Sequence, residues 1–88
     1  MSLKILNSPD PADTLRKLHE SIAQAIEGAE IEVTAMGPGH FEIQVVSDAF
    51  AGKSLVQQQQ LVYAAITPLM SGDAPPVHAI DRLRTRTP

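Results

Sequence analysis

The chain has 88 residues, a formal net charge of −3 and no cysteine. This length allows one domain, and the lack of cysteine excludes disulfides, a thiol nucleophile, a zinc finger and a thiolate-only iron–sulfur site built by this chain alone. Hydrophobic residues make up 43% and charged residues 19%, which indicates a globular domain, and the acidic balance argues against a general attraction to nucleic acid.

The start of the chain, MSLKILNSPD, lacks the apolar region and cleavage site of a signal peptide. No apolar run reaches the roughly 18 residues that a membrane span needs. We therefore expect a cytoplasmic protein without a membrane anchor. Residues 1–10 are interpreted as an N-terminal extension and residues 11–88 as the domain.

The first predicted element is a helix that begins at Pro11, with Asp10 as its N-cap. Gly28 ends it. One apolar stripe at spacings of three and four runs through the segment and consists of Leu15, Leu18, Ile22 and Ile26. These signals predict an amphipathic helix.

Two segments with strict alternation follow, residues 30–36 and residues 40–46. The predicted inward-facing side chains are Ile31, Val33 and Ala35 in the first segment and Phe41, Ile43 and Val45 in the second. Gly37-Pro38-Gly39 between them is typical of a tight turn. Two strands joined by so short a connection predict an antiparallel hairpin.

The second half of the chain predicts helical structure and then a last strand. Ser47 and Asp48 cap a brief helical turn, and a longer helix runs from about Ser54 to Thr67, where Pro68 ends or bends it. Its inner side is predicted to carry Leu55, Val62, Ile66 and Leu69. Residues 77–85 predict the final strand.

This order of elements predicts an α+β fold, α-β-β-α-α-β, with a three-stranded mixed sheet and the helices on one face. If the last strand lies beside the second, the two must run parallel through a right-handed crossover. His40 begins the second strand and His78 the third in this prediction. The two histidines would then share one rim of the sheet, on strands about 5 Å apart.

Two neutral imidazoles at one rim are suited to metal ligation. Because two ligands cannot complete a tetrahedral site, the others would have to come from a partner or a small thiol. The alternative is that His40 merely flanks a turn and His78 merely starts a strand. For hydrolysis, Ser47, Asp48 and the two histidines form no recognisable motif, so we do not expect an enzyme.

Basic charge concentrates at the C-terminus, in Arg82, Arg84 and Arg86. We interpret these residues as a solvated chain end. Phosphate binding is the alternative, although it usually requires a larger basic patch.

The chain resembles the BolA family in Ser47-Asp48-x-Phe50-x-Gly52-x-Ser54-x-Val56, in Val62-Tyr63 and in Val77-His78-Ala79. The resemblance spans Pro11 to Pro88. It implies a BolA-like domain with that family's helix–strand–strand–helix–helix–strand order, which is similar to a type II KH domain.

The resemblance also implies a function: a non-enzymatic adaptor in iron–sulfur and iron homeostasis, connected with the stress response. It implies that His78 is the family's characteristic histidine, an iron ligand. His40 occupies the hairpin-loop position where family members carry histidine or cysteine. The implied partner is a monothiol glutaredoxin, which together with glutathione supplies the thiolates to a shared, bridging 2Fe-2S cluster. The isolated chain would hold no cluster. It would be a monomer or a weak homodimer.

Two departures from the family pattern stand out. The glutamine run 57–60 replaces a basic stretch and fits best a bacterial subgroup with Lys-Lys-Gln-Gln, which weakens the alternative function, a nucleic-acid-binding transcriptional regulator of the BolA type. The last strand carries one extra residue. A bulge near Asp81-Arg82 would keep His78, Ile80 and Leu83 on a common face.

Overall fold

The computed structural model describes residues 10–88, which form two α-helices, a short 3-10 helix and a three-stranded sheet. The elements in chain order are α1 (Pro11–Ala25), β1 (Glu30–Gly37), β2 (His40–Val46), the 3-10 helix (Asp48–Phe50), α2 (Leu55–Met70) and β3 (Ala79–Arg86). The predicted α+β fold and its order of elements are confirmed.

Helix α1 begins as the sequence predicts. The Asp10 side chain accepts a hydrogen bond of 3.0 Å from the backbone N–H of Ala12, and Pro11 needs no such partner because it has no N–H. The apolar stripe of α1 faces the sheet, and Leu18 and Ile22 are completely buried. The first helix is therefore held by its cap at one end and by core packing along its length.

The sheet has the order β1-β2-β3, with β1 and β2 antiparallel and β2 and β3 parallel. The parallel register shifts in one place: Phe41 pairs with Ile80, whereas Glu42 pairs with Arg82. Asp81 is thus the additional residue of β3, which confirms the predicted bulge. Beyond the bulge the inward alternation is kept, because Ile80 and the later Leu83 both pack against the core.

The core lies between the inner face of the sheet and the two helices. Its completely or almost completely buried members outside α1 include Phe41, Ile43, Val45, Phe50, Val62, Ile66 and Val77. Ser47 is a buried polar residue at the end of β2. Its hydroxyl donates to the Glu27 carbonyl at 3.1 Å and accepts from the Ala49 N–H at 3.0 Å, so it joins the α1–β1 connection to the 3-10 helix.

Helix α2 begins as predicted, with Ser54 as its N-cap, but it differs from the prediction in where it ends and in the exposure of Leu55. It continues through Pro68 to Met70, because a proline removes only one N–H and little helix remains beyond it to destabilise. The Thr67 hydroxyl, next to the proline, donates to the Tyr63 carbonyl at 2.7 Å. Leu55 was predicted on the inner side but is 58% exposed, at the first position of α2.

The last strand also requires two corrections. It begins at Ala79, so His78 directly precedes β3 and does not open it. Arg82, Arg84 and Arg86 are exposed, as predicted, but they do not form a loose chain end: β3 runs one residue beyond the predicted 77–85, and all three arginines lie within it, paired in register with β2. Their alternation with partly buried neighbours places the three guanidinium groups on the exposed outer face of the sheet.

Candidate functional site

The backbones of the two candidate histidines meet at one rim of the sheet. The His78 N–H donates to the Gly39 carbonyl at 2.8 Å, and the Ala79 N–H donates to the same carbonyl at 3.1 Å. His40, the next residue after Gly39, pairs in register with Ala79. The parallel crossover therefore brings residues 40 and 78 together, as the topology predicted.

The two rings nevertheless face opposite sides of the sheet. His40 precedes Phe41, which is only 2% exposed and faces the core, so strand alternation turns the His40 side chain to the outer face. His78 instead borders a groove on the helix side, together with Phe41 and Thr14. The two histidines lie at the same rim, but in this arrangement their rings are not directed at one shared metal position.

His40 is paired with the extra residue of β3. Its Nδ1 lies 2.8 Å from Oδ1 of Asp81, and the two side chains are 48% and 40% exposed. Because an ionised carboxylate only accepts hydrogen bonds, Nδ1 carries the proton that it donates to Asp81. In the neutral imidazole, Nε2 is then the free acceptor, and a carboxylate behind the ring is the usual support for a metal-binding histidine.

His78 rests directly on the hairpin turn. Gly39 has a φ of +75°, and a Cβ at this position would lie 2.7 Å from both Cγ and Nδ1 of His78. Two features therefore exclude a side chain at position 39: the left-handed backbone conformation and the closeness of the His78 ring. The His78 residue itself is exposed, so its ring is accessible to another molecule at the rim.

A groove of about 560 Å³ lies beside His78, and we call it the rim groove. Its lining consists of Pro11, Thr14, Ala35, Phe41, Pro76 and His78, together with the Gly37-Pro38-Gly39 turn. Among these side chains only Thr14 and His78 carry polar groups, so the groove is mainly apolar and uncharged.

Within residues 10–88, no group of three or more histidine, aspartate or glutamate side chains is placed to hold a metal ion. Ser47 follows the last residue of β2, whereas His40 is its first residue, so the seven residue steps between them span about 23 Å of extended strand. The residues that might have suggested hydrolysis therefore do not converge. In the same described part of the chain, no helix is long and apolar enough to cross a bilayer.

Reasoning from sequence missed three features of the rim: the Asp81 partner of His40, the Gly39 backbone beneath His78, and the rim groove. The outward direction of the His40 ring could have been predicted from strand alternation, because Phe41 was predicted to face inward and its neighbour His40 must then face outward. The pairing with Asp81 had a weaker signal, the predicted bulge, which moves that residue towards the start of β2.

The family model for BolA-like proteins matches residues 14–88. The chain belongs to the BolA-like family. The match includes both candidate histidines and every described strand. No curated protein sequence matches the chain closely enough to count as a relative.

Solved BolA structures share the fold. The BolA domain of SufE1 from Arabidopsis thaliana is 28% identical, with a TM-score of 0.72, over 85% of this chain and 92% of that one. BolA1 from Mus musculus is 27% identical, with a TM-score of 0.67, over 92% and 68% of the two chains. Yeast Fra2 is 30% identical, with a TM-score of 0.63, over 83% and 77%.

Proposed function

We propose that this BolA-like protein is a non-catalytic cytoplasmic adaptor in iron–sulfur handling, which binds a monothiol glutaredoxin and co-ligates a bridging 2Fe-2S cluster with it. The observation that carries the proposal is the accessible His78 at the rim where the last strand meets the hairpin turn. Membership of the BolA-like family supports it.

The donor set of this chain fits a shared cluster better than one of its own. The sequence has no cysteine, and the rim offers two imidazoles. A 2Fe-2S cluster accepts histidine beside thiolate ligands. In the proposal, this chain contributes imidazole nitrogen, while the glutaredoxin cysteine and glutathione contribute the thiolates.

His78 is the principal proposed ligand, because its ring is exposed and its backbone is fixed by the 2.8 Å hydrogen bond to Gly39. His40 is the second proposed ligand, and the hydrogen bond to Asp81 leaves its Nε2 free. Since the two rings face opposite sides of the sheet, His40 reaches a cluster at His78 only if its side chain turns around the rim. We therefore expect the loss of His78 to be the more damaging of the two.

The test is a titration of glutaredoxin that carries its cluster and glutathione with this protein under anaerobic conditions. We expect the visible absorption and circular dichroism of the cluster to change as imidazole replaces another ligand. His78→Ala should abolish the change, and His40→Ala should reduce it. Because only neutral imidazole binds metal, the complex should weaken towards acid pH.

His19→Ala is the matched control, since it removes an exposed histidine of α1 away from the rim. It should leave the titration unchanged. Far-ultraviolet circular dichroism of each variant verifies that the fold survives. An unaltered spectral change with His78→Ala would refute the role of His78 as a ligand.

One feature of the structure supports a second candidate function, nucleic-acid binding. Arg82, Arg84 and Arg86 alternate along β3, so their side chains line the outer face of the sheet about 7 Å apart. Glu42 is paired with Arg82 in register, and its negative charge opposes phosphate at this face. The iron–sulfur proposal is therefore preferred.

A salt titration distinguishes the second candidate. Binding of single-stranded or duplex oligonucleotides, with a steep loss of affinity as salt rises, would support it. Replacing the three arginines with glutamine should then abolish binding. No binding at low salt would eliminate this candidate and would leave the glutaredoxin proposal unaffected.

A further inference from the structure

The outer face of the sheet is exposed and divided by charge. Each strand places alternate side chains on this face, and the register determines which of them form a row across the sheet. One row contains Glu32, Gln44 and Arg84, in that order. The edge strand β1 is acidic on this face, because Glu30 and Glu32 are exposed there, and the edge strand β3 is basic, because its three arginines are exposed there.

The charges of this face are not neutralised within one chain. In residues 10–88, no ion pair within 4 Å involves the outward-facing glutamates and arginines of the sheet, which are Glu30, Glu32, Glu42, Arg82, Arg84 and Arg86. Gln44 stands between Glu32 and Arg84, whose backbones are two strand spacings, about 10 Å, apart. A shallow hollow of about 220 Å³ crosses all three strands at this row. Three carboxylates and three guanidinium groups are therefore available to another molecule.

A second copy of this chain carries the complementary pattern. Most homodimers have twofold symmetry, in which one surface meets itself, and sheets that pack face to face lie about 10 Å apart. A twofold axis that runs along β2, midway between the two sheets, places β1 of one copy opposite β3 of the other. Because Glu32 and Arg84 share one row, each Glu32 then faces Arg84 of the other copy. Extended glutamate and arginine side chains are together long enough to bridge the two sheets.

Other occupants match this face less well. A twofold axis perpendicular to the strands would place β1 opposite β1 and β3 opposite β3, so that like charges face one another. A nucleic acid would bind the arginines but would hold its phosphates against the glutamates. With the axis along β2, Glu42 faces Glu42 of the other copy, and the neighbouring Arg82 of each chain reduces the cost of that contact.

We propose that the outer face of the sheet is a self-complementary docking surface for a second copy of this chain, held by two reciprocal Glu32–Arg84 pairs. Three strands of seven or eight residues cover only about 400 Å² per copy, whereas a stable interface takes about 800 Å². The dimer is therefore weak, reversible and sensitive to salt. It leaves His78 accessible on the helix side, and the proposal does not rest on the iron–sulfur function.

Charge reversal distinguishes this surface from a general attraction between chains. In a dimer of identical chains, Glu32→Arg places arginine opposite arginine, and Arg84→Glu places glutamate opposite glutamate. Each variant alone should dissociate at least about tenfold more readily than the unaltered chain. An equimolar mixture of the two variants restores opposite charges at both contacts, so the mixed dimer should be about as tight as the unaltered one.

Glu27→Arg and Lys53→Glu are the matched controls. They change the net charge by the same amounts, in the same two directions, at exposed positions outside the strands. Each control alone, and the mixture of the two, should differ from the unaltered chain by less than about threefold in dimer dissociation. Far-ultraviolet circular dichroism verifies that every variant keeps the fold.

Sedimentation equilibrium up to about 1 mM protein measures the association, in about 20 mM and about 500 mM salt, with no iron and no glutaredoxin present. The unaltered chain should dimerise in low salt and at least about tenfold more weakly in high salt. A chain that stays monomeric in low salt overturns the proposal, even if it binds an oligonucleotide. So does a dimer that resists salt or Glu32→Arg, or a control mixture that associates as tightly as Glu32→Arg with Arg84→Glu. Because no cluster takes part, failure here and failure of the iron–sulfur proposal are distinguishable.

Discussion

His40 and Asp81 are joined by a hydrogen bond of 2.8 Å between Nδ1 and Oδ1, and Asp81 is the one residue that β3 has in excess over its partner strand. The bulge thus has a chemical consequence. It places a carboxylate behind an imidazole and thereby selects which ring nitrogen is protonated.

The protonation of the His40 ring is directly measurable. When the His40 imidazole is neutral, we expect its nitrogen-15 chemical shifts to show a protonated Nδ1 and an unprotonated Nε2. Asp81→Ala removes the acceptor, so the His40 ring should move towards the mixture of tautomers of an exposed imidazole. The His78 ring is the internal control and should not change. A predominantly protonated Nε2 in the unaltered protein would contradict the assignment of this hydrogen bond.

Gly39→Ala should destabilise the protein and disturb His78. The left-handed backbone costs an alanine about 1–2 kcal/mol, and the 2.7 Å approach to the His78 ring adds about 1–3 kcal/mol of steric conflict. Gly52→Ala is a close control: its φ of +76° is almost the same as the +75° of Gly39, but nothing lies within 4 Å of the added Cβ.

Chemical denaturation measures both costs. We expect Gly52→Ala to lower the free energy of unfolding only by the cost of the left-handed backbone. Gly39→Ala should lower it further and should also shift the backbone resonances of His78. Equal losses in the two variants would show that the turn and the ring are not in contact.

Ser47→Ala tests the buried hydroxyl at the far end of β2. It leaves the Glu27 carbonyl and the Ala49 N–H without their partner, which should lower the free energy of unfolding by about 1–3 kcal/mol. Ser71→Ala removes an exposed hydroxyl that donates to the Thr67 carbonyl at 2.8 Å, and should cost less than about 0.5 kcal/mol. Similar losses for the two serines would mean that burial of Ser47 does not strengthen its contribution.

Stability should also depend on the charge of Asp13 in the first turn of α1. The hydrogen bond from Arg16, followed by that from Lys17, lowers the pKa of Asp13 below its ordinary 3.8. A lowered folded-state pKa stabilises the fold above the ordinary value, and this contribution disappears as the pH falls through the folded-state pKa. Asp13→Asn should therefore lower the melting temperature slightly at neutral pH and not at strongly acid pH.

Asp73→Asn is the control for this effect, because Asp73 lies in the exposed loop after α2. Its melting temperature should follow that of the unaltered protein at both pH values. A deficit in Asp13→Asn that stays constant down to strongly acid pH would contradict the electrostatic explanation.

Local patterns in the sequence predicted the fold well where neighbours in the chain determine it. The alternation on both sides of Gly37-Pro38-Gly39 predicted the hairpin, and the cap at Asp10 predicted the start of α1. The bulge at Asp81 was predicted in another way, from one residue in excess of the BolA family pattern. The hairpin and the start of the helix depend on backbone conformation over a few residues.

The errors arose where distant packing decides. Leu55 continues the apolar stripe of α2 but is exposed at the first position of that helix. The last strand was predicted over residues 77–85, but pairing with β2 moves its start to Ala79 and extends it to Arg86. At the site, topology predicted that His40 and His78 would meet, whereas the direction of each ring depends on register and on a turn that only the assembled fold contains.

Coordination of iron by His78 is the central claim, and the nitrogen nuclei of the ring test it most directly. The complex is formed from cluster-loaded glutaredoxin and chain labelled with nitrogen-15 in histidine, then reduced and measured by pulsed electron paramagnetic resonance. We expect a strong coupling between iron and nitrogen-15 that survives His19→Ala and is lost in His78→Ala. A coupling that persists without His78, or a reduced cluster with no histidine coupling at all, would contradict the account.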